Sequence, residues 1–334
     1  MNLPDNHRPI PEPRIGVLLI NLGTPDAPET KAVRRYLAQF LSDTRVIELP
    51  KIAWKPILHG VVLRTRPRKS ARAYKQVWTE QGSPLAAITS RQADALAERL
   101  DSVIVDHAMR YGNPSIRAGL ELLRMSGCER ILAAPLYPQY CAATTASAHD
   151  AIFAAIAPLR WQPAVRTLPP YHDDPLYIGA LQASLERQIA ALDFVPERLL
   201  LSFHGMPQRT LALGDPYHCQ CLKTARLIGE TMAIPIDVAF QSRFGRAKWL
   251  EPATARVLAE YPGQGVKRIA VAAPGFSADC LETLEEIGIR GRATFLGAGG
   301  EQFARLDCLN DSDEGMAMLD ALIARELEGW TPRA

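Results

Sequence analysis

Short apolar runs alternate with segments of helical period along most of the chain. The runs at 15–20 (IGVLLI), 103–108, 130–135, 198–203, 234–240 and 268–273 are six or seven residues long and rich in Val, Ile, Leu and Ala. Between them, helical periodicity occupies 31–41, 90–100, 115–124, 146–156 and 175–192. Apolar runs of this length, separated by helices, are the pattern of strands buried on both faces in parallel sheets. The pattern predicts an α/β fold assembled from βαβ units.

The same order of elements occurs twice. IGVLLINLGTP (15–25) matches RLLLSFHGMP (198–207), with Asn21 set against His204 ahead of a Gly-x-Pro turn. VDHAMRYG (105–112) matches IDVAFQSRFG (236–245), and RILAAPLY (130–137) matches RIAVAAPGF (268–276). Asn21 and Asp106 are 85 residues apart, whereas His204 and Asp237 are 33 apart, so the first half carries an insertion at about 50–85. Two similar Rossmann-like lobes follow, 1–170 with an inserted lip and 171–334 with the candidate chemistry, flanking a central cleft. In such sheets ligands bind beyond the carboxyl ends of the strands. The segments NLGTP, MRYGNP, LYPQY, SFHGMP, FQSRFG and APGFSADC all begin where a strand ends. Proline, at 26 of 334 residues against an average of about 5%, collects in these turns and stiffens them.

Composition narrows the classes. Hydrophobic residues at 47% and charged residues at 22% are ordinary globular usage, which excludes a disordered or fibrous chain. Thirty-eight basic against 36 acidic side chains give a net charge of +2, too balanced to indicate nucleic acid. No apolar run reaches the eighteen or so residues of a membrane span. The first residues, MNLPDNHRPIPEPR, have no apolar core of the kind a secretory signal needs. Six cysteines in so long a chain fit a reduced cytosol better than a disulfide framework.

Three segments carry candidate chemistry. His204 closes a predicted strand just before Gly205 and Pro207. An imidazole held there by a stiff turn suits a general base or a metal ligand; the alternative is a loop histidine that caps the following backbone. In PGFSADCLETLEEIGI (274–289), Asp279, Glu282 and Glu286 fall on nearly one helical face. Like charges aligned in this way are unfavourable, which suggests an acidic track for protons or a hard cation; the alternative is that they complement a helix start. The lip, IAWKPILHGVVLRTRPRK (52–69), mixes seven large apolar side chains with Arg64, Arg66, Arg68 and Lys69. It suits a flat apolar carboxylate and a membrane surface, or equally a helical hairpin with a basic solvent face. HCQC (218–221) offers only three clustered ligands and no second pair, and FLGAGG (295–300) falls short of a nucleotide fingerprint.

Together NLGTPDAP, YLAQFLSD, GSPL, PLYPQY, LSFHGMPQR, GDPY, FQSRFG and PGFSADCLETLEEI resemble the ferrochelatase family from about Ile15 to Gly300. The family inserts ferrous iron into protoporphyrin IX to give protohaem, on two Rossmann-like domains around a porphyrin cleft. The resemblance implies His204 and Glu282 as the central catalytic and metal-handling pair, with Asp279 and Glu286 extending a proton or metal relay. It also implies that Leu22, Arg66, Tyr74, Ser83, Arg110, Tyr137, Trp249 and Phe276 line the porphyrin pocket. Some members hold a [2Fe–2S] cluster through a cysteine-bearing tail. Here no cysteine follows Asn310 and Ala142 stands at an internal ligand position, so no cluster is expected and iron enters as substrate only. The expected setting is cytoplasmic, with peripheral contact at the inner membrane through 52–69. Competing readings are a chelatase for coproporphyrin III or a cobalt corrinoid precursor, a non-catalytic porphyrin carrier, and a nucleotide-dependent oxidoreductase.

Overall fold

The structure, a computed structural model, describes residues 12–331 apart from 244 and 246. Phe244 of the FQSRFG motif therefore lies outside the described residues. β1 (Arg14–Gly23), β2 (Val103–Tyr111), β3 (Cys128–Pro135) and β4 (Ala164–Thr167) form one sheet in the order β2-β1-β3-β4. β5 (Arg198–His204), β6 (Ile236–Gln241), β7 (Arg268–Ala272) and β8 (Gln302–Arg305) form a second sheet in the order β6-β5-β7-β8. Every pairing is parallel, as the apolar runs predict. The class is α/β, and the second sheet repeats the connectivity of the first.

Equivalent bonds close the two halves. The Met109 amide donates to Pro114 O at 2.7 Å, and the Phe240 amide donates to Pro252 O at 2.8 Å. Met109 is paired with Asn21 in β1 and Phe240 with Phe203 in β5. The register therefore sets Asn21 against Phe203 and Leu22 against His204. The sequence alignment of Asn21 with His204 is off by one, because the two Gly-x-Pro turns, not the polar residues, are the matched feature.

One large cluster runs through both sheets. Val17, Leu19, Leu132 and Ala134 of the first join Leu199, Leu201, Phe203, Ala270 and Ala272 of the second, with Leu319, Leu322 and Ile323 packed on them. Those last three belong to a helix, Asp313–Leu327, whose Ser312 side chain accepts from the Gly315 amide. It packs on the helices Pro175–Ala190 and Pro84–Ala97 and on β3, and so ties the second half back to the first.

The lip is one continuous helical stretch rather than a hairpin. Lys51–Ile57 passes through a wider π turn, Leu58–Val62, into Leu63–Val77, and the backbone stays right-handed helical at both junctions. Leu58, Leu63, Ala71 and Tyr74 are buried against Val33, Tyr36, Leu37 and Leu41. Those four come from the helix Thr30–Phe40 and the residue after it. The outer face leaves Ile52 (91% exposed), Ile57 and Val61 in solvent among Lys51, Lys55, Arg64, Arg68 and Lys69. Among the described residues no helix is long and apolar enough to cross a membrane.

Candidate active site

In a sheet of order 2-1-3-4, the switch point lies between the first and third strands, and loops leaving it open a crevice. Here there are two such points, and the predicted residues gather at both. Leu22 lies at the end of β1 and His204 closes β5, while Tyr137 and Phe276 follow β3 and β7. The His204 and Phe276 rings are 6.5 Å apart. Leu22 and Phe276 both pack on a small cluster of Leu85, Ile88, Ala278 and Cys280, which joins the lobes across the cleft.

His204 is half-buried, and its Nδ1 lies 2.8 Å from Gly205 O. A carbonyl oxygen only accepts, so Nδ1 carries the proton and Nε2 is left as the basic nitrogen. The turn behind it is tight: the Gly205 amide donates to Gln241 O at 2.7 Å. A Cβ on Gly205 would stand 2.4 Å from that oxygen, so only glycine permits the approach. Trp249 flanks the same turn, bridged to Pro207. The Tyr217 hydroxyl donates to the His204 carbonyl at 3.0 Å.

The acidic segment departs from the α-helical face expected for it. Residues 277–281 form a loop with one residue of helix at its end, and Glu282–Gly291 is a π-helix that continues into Arg292–Gly297. Asp279 lies outside this helix and apart from any open track. Its carboxylate accepts from Arg305 Nη1 at 2.9 Å, from Thr283 Oγ1 at 2.7 Å and from Asn310 Nδ2 at 2.8 Å. With its side chain 6% exposed, Asp279 is held by three side chains and by no amide of the helix start. Glu286 is held by Ser242, whose amide and hydroxyl donate to its two oxygens at 2.8 and 2.5 Å. The Glu282 carboxylate instead faces the first lobe. It raises the Tyr36 and Tyr74 hydroxyls further above a range that burial has already lifted, and it favours the cationic form of Arg66 against burial.

Tyr36, on the inner face of the helix Thr30–Phe40, is the residue the sequence reading missed. It packs in one cluster with Tyr74 and Tyr111, and its hydroxyl is lifted first by burial and then by the nearby Tyr74 and Glu282. The segment YLAQFLSD carries part of the family resemblance, but nothing local singles out Tyr36 within it except its place on the buried stripe of an amphipathic helix. Ser83 is buried and accepts from Thr24 Oγ1 at 2.8 Å. Arg110 is mostly buried, its side chain 17% exposed, and largely committed. It donates to Asp43 Oδ2 at 2.5 Å and to Ser147 Oγ at 2.7 Å, and lies 4.5 Å over the Tyr111 ring. Tyr137 is buried with its hydroxyl unpartnered, a cost that a bound polar group would remove.

The HCQC segment lies on the helix Tyr217–Gly229 with Cys219 exposed and Cys221 buried. Among the described residues no three of His, Cys, Asp and Glu converge as a metal site. His204 and Glu282 therefore form no closed metal cage by themselves.

Two parallel α/β lobes, with His204, Glu282 and Glu286 all on the second, have the fold of the chelatases. Solved structures of SirB from Bacillus subtilis with Fe³⁺ and of a sirohydrochlorin chelatase SirB with cobalt share the fold. Their TM-scores are 0.58 and 0.57 at 12% and 11% identity, covering 95% of this chain and 97% and 98% of theirs. The family model Ferrochelatase matches residues 14–327. Curated ferrochelatases of Rhizobium meliloti and Methylibium petroleiphilum are 54% and 53% identical, covering 95% of this chain and 96% and 89% of theirs. The chain belongs to the ferrochelatase family, and with it to the metal-inserting lyases of haem synthesis.

Proposed function

We propose that the chain inserts Fe²⁺ into protoporphyrin IX to give protohaem and two protons. The observation that carries this reading is the joining of the His204 turn to the Glu282 helix through Gln241, with Phe276 and Trp249 beside that turn. A planar porphyrin keeps its nitrogen lone pairs in the ring plane, and binding it puckered exposes them to the metal. His204 Nε2 accepts pyrrole protons. Glu282 takes protons onward or positions the incoming metal, and Glu286, one turn along the π-helix, extends the relay. Leu22, Phe276 and Trp249 supply apolar walls. Arg66, Tyr74, Ser83 and Tyr137 supply donors for the propionates, and Arg110, held by Asp43, stiffens the rim beside them.

Iron is substrate in this reading, and no [2Fe–2S] cluster is resident. Ala142 at the internal ligand position and the opposed settings of Cys219 and Cys221 support that view. The enzyme works in the cytoplasm, touching the inner membrane through the exposed apolar and cationic face of 52–69. Turnover on protoporphyrin IX, compared with coproporphyrin III under anaerobic Fe²⁺, tests the substrate. Faster insertion into protoporphyrin IX is expected, and preference for coproporphyrin III would overturn the assignment.

A further inference from the structure

We infer that Gln241 is a positioning residue that sets the spacing between the His204 turn and the Glu282 helix. The inference rests on the proposed pairing of His204 with Glu282 and adds what holds the two in place. Gln241 ends β6, opposite His204 in the register of β5, and is 3% exposed. It grips both partners. Its backbone oxygen receives the Gly205 amide at 2.7 Å, immediately after His204. Its side-chain Nε2 donates to the Glu282 backbone oxygen at 3.2 Å. One residue therefore spans from the turn bearing the base to the first residue of the helix bearing the acid.

The amide cannot turn over freely. The Ser202 hydroxyl donates to Gln241 Oε1 at 2.7 Å, and Thr254 Oγ1 lies 2.8 Å from Ser202 Oγ. With its own proton directed at Gln241, Ser202 accepts from Thr254, so the whole chain has one polarity. That polarity points Nε2 at Glu282 O. Ser202 and Thr254 are themselves buried, so the chain is fixed to the β5–β6 core. The neighbouring residue adds a second hold on the same helix, since Ser242 binds the Glu286 carboxylate twice. A π-helix is an uncommon conformation that persists where surroundings secure it, and residues 241 and 242 fasten it at two successive points.

Gln241→Glu is the sharpest probe. It keeps shape and the acceptor for Ser202 but replaces the donor facing Glu282 O with an oxygen. Misplacing reacting groups by about 1 Å costs on the order of 10²-fold, so kcat for Fe²⁺ insertion should fall about 10²-fold. Porphyrin affinity, read by fluorescence titration, should change little, because Gln241 is not among the pocket walls. Amide hydrogen exchange should accelerate in 282–291 and stay unchanged in 198–203. Ser202→Ala, which only releases the amide, should move both readouts in the same direction by less, and serves if Gln241→Glu does not fold. Wild-type kcat in a folded variant, with or without faster exchange, would overturn the positioning role. His204→Ala and Glu282→Gln run alongside separate the two claims. If those retain turnover, the site assignment fails; if they lose it while Gln241→Glu does not, only the role of Gln241 fails.

Discussion

Replacing Asp279 with Asn should destabilise the protein without abolishing metal insertion. In the folded chain the carboxylate accepts from Arg305, Thr283 and Asn310, and Asn310 Oδ1 receives the Asp279 amide at 2.8 Å in return. The substitution leaves a half-buried Arg305 with only Asp307 as an acidic partner. It also turns an acceptor into a donor facing Arg305 or Asn310. Removing one member of a buried ion pair costs about 3–5 kcal/mol. A chain of 334 residues has an unfolding entropy of about 2.1 cal/mol/K per residue. The melting temperature should therefore drop by about 4–7 °C. Differential scanning calorimetry measures the shift, and the insertion assay at 20 °C, below the transition, measures activity. Turnover should stay within about 3-fold of wild type, an effect under about 1 kcal/mol. An unchanged melting temperature together with lost turnover would refute the reasoning and return Asp279 to the proton or metal relay.

Three further outcomes follow from other parts of the molecule. Burial would raise the Asp43 carboxyl, but donors from Ser147, the Arg45 amide, Tyr111 and the Arg110 guanidinium outweigh it and hold it below the usual carboxylate range. Its stabilisation is thus present above the unfolded value near about pH 4 and is lost as pH falls through the lower folded value. Asp43→Asn should lose about 2 kcal/mol at pH 7, and the gap in urea unfolding should narrow below about pH 4; an equal gap at pH 3 would contradict this. Glu282→Gln should slow insertion more than Glu286→Gln, because Ser242 already occupies both oxygens of Glu286, and steady-state kcat in the reverse order would count against the relay. Replacing Ile52, Ile57 and Val61 with Ser should release the protein from anionic vesicles in co-sedimentation while leaving insertion into detergent-dispersed porphyrin intact. Undiminished sedimentation would remove the lip as the contact surface.

Much of this architecture is legible in the residues because strand burial writes itself as apolar runs. Six of the eight strands coincide with them, each within a few residues. The two absent from the pattern, AVRT in β4 and QFAR in β8, are four-residue edge strands, each carrying an Arg and too short for a period to register. The helix Asp313–Leu327 was also unread, though Ser312 caps it and Asp313 and Glu314 open it. The acidic segment shows a deeper limit. The spacing of Asp279, Glu282 and Glu286 suits an α-helical face, yet the chain forms a loop and then a π-helix, because Arg305, Asn310 and Ser242 draw those carboxylates elsewhere. Those partners lie 26, 31 and 44 residues away, a separation that no local pattern reports. Tyr36, Asp43 and Gln241 were missed for the same reason, since each acts only through residues that folding brings to it.

The most direct test of the central claim is anaerobic absorbance spectroscopy of protoporphyrin IX with Fe²⁺, in the presence of the unmodified protein and of His204→Ala. The account predicts that the porphyrin bands collapse to a ferrous haem spectrum with the unmodified protein alone, while both proteins bind porphyrin with similar affinity. Conversion at an equal rate by His204→Ala would contradict the assignment of the base. Binding without conversion by either protein would contradict metal insertion itself.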